Sequence, residues 1–187
     1  MSSHLDYEIN KELGECYLFM GDLEKAEDYY RKAAASNGVH PDPYLGLATI
    51  AVQRGALSDA LVLYRKAADI EAGDKALAGM GLVEMEQGDA EAAYGHLAAA
   101  LALNPENLVA MNCIVRLGYH FGRVADVVPY LENYLSLVPG KDTVRTTLAG
   151  CLITLGRPEE ARAHLEQVLA GDPANPEARS LYEGLAA

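Results

Sequence analysis

One stretch of this 187-residue chain groups four side chains suited to ligand recognition. They are Asn112, Arg116, Tyr119 and His120. Their spacings of three and four residues place them near one face if the segment is helical. An amide can donate to and accept from a peptide backbone, while guanidinium and phenol groups suit carboxylate and apolar contacts. The pattern favours peptide recognition, and the alternative is a solvated polar face.

The sequence shows no arrangement typical of catalysis or metal binding. Cys16, Cys113 and Cys151 are far apart, and no two of the five histidines lie three or four residues apart. We therefore expect packed, unlinked cysteines and no metal site. Nucleotide-binding loops and nucleophile elbows are absent, and acidic pairs such as Glu159 and Glu160 are typical of a solvated helix face. The sequence predicts neither an enzyme nor a cofactor.

Charge and composition narrow the class of partner. The formal net charge is −12 at pH 7, and 50% of the residues are hydrophobic. A strongly acidic chain is a poor ligand for nucleic acid or for an anionic membrane surface. No window approaches the roughly 18 apolar residues of a membrane span, and the first residues do not resemble a secretory signal. The sequence predicts a cytoplasmic protein with a substantial core and no membrane insertion.

A recurring glycine shows which elements position these side chains. It returns at intervals of 34, 33, 34 and 34 residues, at Gly21, Gly55, Gly88, Gly122 and Gly156, which we call the turn glycines. A large and then a mostly small apolar residue stand eight and seven residues before each turn glycine, and an alanine or valine and then a tyrosine or leucine stand five and nine residues after it. This pattern predicts a helical hairpin per repeat, with the glycine ending the first helix in a left-handed conformation.

The segments around the turn glycines supply further expectations. Asp22, Ser58 and Asp89 are predicted to start second helices, since their oxygens can accept from free amides. Leu47, Tyr64 and Leu148 occupy positions predicted to be buried in the hairpins, because large residues at these positions recur in every repeat.

These residues resemble the tetratricopeptide repeat family, whose pattern is matched over residues 7–175. The resemblance implies an all-α fold, a right-handed α-solenoid of helix-turn-helix hairpins in a single array over residues 1–187. The predicted repeats span residues 7–40, 41–73, 74–107, 108–141 and 142–175, and a capping helix covers about residues 176–187. Ser3 and Asp6 resemble a capping box, which predicts that the first helix begins near Leu5.

The resemblance also implies where a partner binds, since the first helices of this family line a concave surface that holds peptides or helices. Three residues before each turn glycine, the side chain is always apolar or aromatic. The predicted groove combines this row with variable neighbours: Leu18, Thr49, Val52, Leu82, Met85, Asn112, Arg116, Tyr119, His120 and Ile153. The alternative is that the row packs between successive first helices.

The fourth repeat departs from the pattern most. Val127 stands where most other repeats have alanine, and Gly118 stands where the family usually has a large residue. Extra bulk between helices must change their packing. Two outcomes stay open: a change of curvature near residues 108–141, or local compensation by Gly118.

Three functions fit these observations. The first is an adaptor or scaffold that binds a protein or peptide partner in its groove. The second is a scaffold that assembles with copies of itself, and the third is a bacterial secretion or assembly chaperone. The alanine-rich composition is typical of a bacterial protein from a GC-rich genome.

Overall fold

The computed structural model describes the backbone of residues 2–185 and the side chains of residues 4–185. Within this range the chain forms eleven α-helices and no strand, which confirms the all-α prediction. The helices are α1 (Ser2–Phe19), α2 (Leu23–Ser36), α3 (Asp42–Gln53), α4 (Leu57–Ile70), α5 (Asp74–Gln87), α6 (Ala90–Leu103), α7 (Leu108–His120), α8 (Val124–Leu137), α9 (Asp142–Thr154), α10 (Pro158–Gly171) and α11 (Pro176–Gly184). They group into two compact units, Met1–Cys113 and Ile114–Ala187.

The turn glycines end the first helices as the sequence predicts. All five have positive φ angles, between 65° and 88°. At Gly55 the amide donates to the carbonyl of Val52, and the next amide, of Ala56, donates to the carbonyl of Ala51, both at 2.9 Å. The same pair of bonds recurs at the other four turn glycines. This is the Schellman motif, in which a left-handed residue satisfies the last carbonyls of a helix.

The predicted helix starts are confirmed at two positions and corrected at two. Asp22 and Asp89 are N-caps whose side chains accept from the amides of Lys25 and Ala92. Ser58 is not a cap, because α4 begins at Leu57 and Ala56 occupies the cap position. The first helix begins at Ser2 instead of Leu5, and the Ser3 side chain of the predicted capping box lies outside the described residues.

In the first unit, aromatic rings on second helices pack against glycines on first helices. The Tyr30 ring lies between Gly14 of α1 and Gly46 of α3, where a β-carbon at Gly46 would be 2.3 Å from Tyr30 Cζ. The Tyr64 ring lies equally close to Gly79 of α5. Both rings are buried. These glycines therefore allow each second helix to approach the first helix of the following hairpin.

The second unit has an aliphatic core in place of the rings. Leu131, Leu148 and Leu165 have no exposed surface. The last helix, α11, lies against α9 and α10 and buries Ala178. Contact with α9 and α10 is what a capping helix requires.

Gly118 compensates for the bulk of Val127 in the fourth hairpin. A β-carbon at Gly118 would lie 2.3 Å from Val127 Cγ2, and Val127 is fully buried. The larger residue on α8 thus occupies the space that the glycine on α7 leaves. This contact favours local compensation, the second outcome left open by the sequence.

Two burial predictions are wrong. Cys16 is exposed, whereas Cys113 and Cys151 are buried. The equivalents of Cys16 in the next two hairpins, Ile50 and Val83, are buried, but no second helix precedes α1 among the described residues. Tyr64 and Leu148 are buried as predicted.

Leu47 is the second exception, because it is only half-buried and lines an open cavity between α2 and α4.

None of the described helices combines the length and the apolar character that crossing a membrane requires.

Candidate functional site

A pocket of about 350 Å³ opens between α3 and α5 in the first unit, and we call it the inner pocket. It is lined by Leu45, Thr49, Val52, Gln53, Tyr64, Lys75, Ala78, Gly79, Leu82, Asn107 and Val109. Two first helices form its walls, and the start of α7 closes one end. Three of its residues, Thr49, Val52 and Leu82, belong to the predicted groove.

The pocket depends on the packing of Tyr64 against Gly79. Because Gly79 has no side chain, the Tyr64 ring packs directly against α5 at this residue. The Tyr64 hydroxyl lies 3.5 Å from Thr49 Oγ1 on α3. Thr49 also donates to the carbonyl of Leu45 at 2.9 Å, which fixes its hydroxyl. Burial raises the pKa of Tyr64, so the phenol stays protonated and uncharged at neutral pH.

The pocket combines an apolar floor with a polar rim. Leu45, Val52 and Leu82 are half-buried and present aliphatic surface, while the side chain of Lys75 lies at the rim. Asn107 is held in place, since it donates to Asp74 Oδ2 at 2.8 Å and accepts from the Ala110 amide at 2.9 Å. Such a surface suits a large apolar side chain with an acidic group beside it.

The sequence missed part of this lining. Lys75 and Val109 share one repeat position, thirteen residues before a turn glycine, in a row that was not included in the predicted groove. At this position the five repeats have Glu8, Asp42, Lys75, Val109 and Thr143, which share no chemical property, so the row gave no signal. Gln53 and Asn107 lie outside any apolar row, and only the contact of α3 and α5 with the start of α7 brings them to the pocket.

The other predicted groove residues lie on exposed or partly exposed surface. Leu18, Met85 and Ile153 are half-buried, and Leu18 packs against the core cluster that contains Tyr30, so it is partly structural. Asn112 in the first unit is exposed, as are Arg116, Tyr119 and His120 in the second.

In the second unit, Tyr119 connects α7 with α9. Its hydroxyl lies 3.3 Å from Thr154 Oγ1 and donates to Cys151 Sγ at 3.8 Å. Burial raises the pKa of both Tyr119 and Cys151, so both stay protonated at neutral pH. The Tyr119 side chain nevertheless keeps 46% of its surface exposed. The Tyr119 side chain is therefore partly packed on α9 and partly open to solvent.

These contacts predict different effects for two substitutions of Tyr119. Tyr119→Phe removes only long hydrogen bonds and should lower the free energy of unfolding by less than about 1 kcal/mol. Tyr119→Ala also removes the ring and should cost about 1 to 2 kcal/mol. Urea denaturation followed by circular dichroism measures both. A loss above about 3 kcal/mol for Tyr119→Ala would assign the ring to the core.

Comparison with known proteins gives two matches to family profiles. Both profiles are described as tetratricopeptide repeat, and they match residues 11–75 and 119–185. A curated relative, the BBSome complex member BBS4 of Bos taurus, is 31% identical over 107 residues. This alignment covers 57% of the chain but only 20% of the relative, so the chain spans about a fifth of that protein's length.

Solved structures share the fold across most of the chain. The Pseudomonas aeruginosa protein pilF aligns with a TM-score of 0.83 at 24% identity, covering 100% of this chain and 85% of that one. PilW, described as a type IV pilus biogenesis factor, aligns with a TM-score of 0.76 at 18% identity over 94% and 82% of the two chains. YrrB, described as a TPR protein with an unusual peptide-binding site, aligns with a TM-score of 0.68 at 16% identity over 93% and 90%.

The left-handed turn glycines, the paired helices and the two profile matches agree with one another. The chain belongs to the tetratricopeptide repeat family.

Proposed function

We propose that this protein binds an extended segment of a partner protein, and that the inner pocket holds an apolar side chain of that segment. The fold itself supports a protein-interaction or scaffold module. The observation that carries the finer proposal is the pocket of about 350 Å³, whose floor is formed by Val52, Leu82 and Leu45. We propose that the protein acts by binding and catalyses no reaction.

The energy available in the inner pocket is sufficient for a weak, specific anchor. Fully burying a leucine-sized side chain contributes about 1.5 to 3 kcal/mol. Thr49 and Tyr64, whose hydroxyl groups lie 3.5 Å apart, add polar atoms to the lining, and Lys75 favours an acidic neighbour on the partner. A single anchor of this kind gives modest affinity, so further contacts along the first helices are needed.

The predicted groove residues outside the pocket belong to the same proposal. In the first unit, Leu18, Met85 and Asn112 lie on first helices and offer further contacts. In the second unit, Arg116, Tyr119, His120 and Ile153 do the same on α7 and α9. We also propose that the protein acts in the cytoplasm, that its partner is a protein, and that it does not bind nucleic acid.

Affinity capture with matched baits tests the proposal. The pocket variant Val52→Thr/Leu82→Gln keeps side-chain volume nearly constant but makes the pocket floor polar. The control, Val39→Thr/Leu103→Gln, makes the same changes at exposed positions outside the inner pocket. Quantitative mass spectrometry should show partners that bind the wild-type protein and the control but are depleted on the pocket variant. Equal capture by all three baits would exclude the inner pocket as the anchor.

Self-association is a second candidate function, and the end of α1 favours it. Phe19 and Met20 expose 95% and 68% of their surface at the α1–α2 turn. Neighbouring exposed apolar side chains of this size often mark an interaction surface. Light scattering over a wide concentration range tests this candidate, and a monomer throughout would exclude it. A role as a bacterial secretion or assembly chaperone also stays a proposal.

A further inference from the structure

A second and larger cavity lies between α2 and α4, with residues of α3 in its lining, and we call it the outer cleft. Its volume is about 780 Å³. Leu47, Ile50, Ala51 and Leu63 form an apolar floor. Val62, which is 64% exposed, adds aliphatic surface on α4. None of these residues lines the inner pocket.

The rim of the outer cleft carries an excess of positive charge. Arg31, Arg54 and Lys66 line it, together with the carboxylates of Glu27 and Asp59, so three cations face two anions. Arg31 and Arg54 both bind Glu27, the first at 2.6 Å, and these guanidiniums hold the pKa of Glu27 below its usual value. The side chains of Arg31 and Arg54 remain 70% and 40% exposed. A local positive rim on a chain of net charge −12 favours an anionic group.

The next hairpin shows what occupies the equivalent position. In the repeat register, Ala51 and Leu63 of the outer cleft correspond to Glu84 and His96, and Arg31 corresponds to Arg65. Glu84 is only 4% exposed, its Oε2 lies 2.6 Å from His96 Nδ1, and its Oε1 lies 3.9 Å from Arg65.

The protein thus places a carboxylate of its own between α4 and α6, next to an arginine of the preceding second helix. Between α2 and α4, Arg31 and Arg54 share the carboxylate of Glu27, and Ala51 supplies no second one.

We propose that the outer cleft is a second docking site, and that it takes an acidic amphipathic peptide segment of a partner. The apolar side chains of the segment lie on Leu47, Ile50 and Leu63, and a carboxylate lies against Arg31 and Arg54, as Glu84 lies near Arg65. Charge complementarity selects the acidic segment, and the apolar floor selects large aliphatic or aromatic neighbours. This site is separate from the inner pocket and does not depend on it.

Fluorescence anisotropy with three labelled probe peptides tests the proposal. The acidic probe has the sequence Glu-Leu-Leu-Glu-Ile-Leu, and the two matched probes replace glutamate by glutamine or by lysine. We expect the wild-type protein to bind the acidic probe best and the lysine probe least. Added salt should weaken the acidic complex, because the rim is exposed. Equal binding of all three probes, or no binding of the acidic probe, would overturn the proposal.

Matched variants locate the binding. Arg31→Gln/Arg54→Gln should bind the acidic probe about fivefold to tenfold more weakly. Ala51→Glu, which places a carboxylate where Glu84 stands in the next hairpin, should compete with the probe in the same way. The control Arg65→Gln removes an arginine outside the outer cleft and should leave binding unchanged.

Three results separate this proposal from its alternatives. The inner-pocket variant Val52→Thr/Leu82→Gln should bind the acidic probe as the wild-type protein does. The proposals for the inner pocket and for the outer cleft can therefore be disproved independently of each other. Unchanged affinity of the double arginine variant would overturn the docking site, even if Ala51→Glu fails to fold. A dimer that dissociates on Arg31→Gln/Arg54→Gln would assign the cleft to a second copy of the chain and would also overturn it.

Discussion

Gly46→Ala is expected to lower the free energy of unfolding by about 2 kcal/mol, although alanine is the better helix former. The new methyl group would lie 2.3 Å from Tyr30 Cζ. The ring has no room to retreat, because a β-carbon at Gly14 would lie only 2.8 Å from it and only 3% of Tyr30 is exposed. Helix α3 must therefore move away from α2. Urea denaturation followed by circular dichroism measures the loss.

Gly95→Ala is the matched control for this prediction. Gly95 lies inside α6 and is exposed, and a new methyl group there would meet no neighbouring side chain within 4 Å. The same substitution should there raise the free energy of unfolding by about 0.5 to 1 kcal/mol. Opposite signs at the two glycines would show that close approach of the ring, and not helix propensity, decides the effect. A stabilising Gly46→Ala would contradict this packing.

Leu148→Ala should be among the most destabilising large-to-small changes in the second unit, lowering the free energy of unfolding by about 2 to 5 kcal/mol. Leu148 lies on α9 and has no exposed surface, so its removal leaves a cavity that the surrounding helices fill poorly. Hydrogen exchange of the α9 amides should report the loss locally, since stability in repeat proteins is partly a sum over neighbouring hairpins.

Leu47→Ala provides the comparison, because Leu47 occupies the equivalent position on α3 but is only half-buried. Its side chain already faces the open outer cleft, so truncation creates little enclosed space. We expect Leu47→Ala to lower the free energy of unfolding by about half as much as Leu148→Ala does, or less. Equal losses at both positions would show that the outer cleft is closed in solution.

The elements of this fold were predictable because their signals are local. A left-handed turn selects glycine, so a glycine every 33 or 34 residues marked each hairpin, and Asp22 and Asp89 marked two helix starts. The prediction that Ser58 caps α4 was wrong, because the cap position depends on where hydrogen bonding begins and α4 begins one residue before Ser58. The prediction that Cys16 is buried was wrong, because periodicity identifies a helix face without showing whether another helix covers it.

The candidate sites were only partly predictable because they depend on contacts between distant residues. The row of apolar residues before the turn glycines led to Val52, and its neighbours led to Thr49 and Leu82. The inner pocket also requires Tyr64 to cross Gly79, a contact between α4 and α5 that no single repeat shows. The rim of the outer cleft likewise depends on Glu27 binding Arg54, 27 residues away.

Selection of peptides against the folded protein tests most directly whether the inner pocket holds an apolar anchor. A displayed library of random peptides would be selected on the wild-type protein, and isothermal titration calorimetry would then compare its best ligand on three proteins. We predict selected peptides with a shared large apolar residue, bound at least about tenfold more weakly by Val52→Thr/Leu82→Gln and equally well by Val39→Thr/Leu103→Gln. Equal affinity for the wild-type protein and the pocket variant would contradict the account.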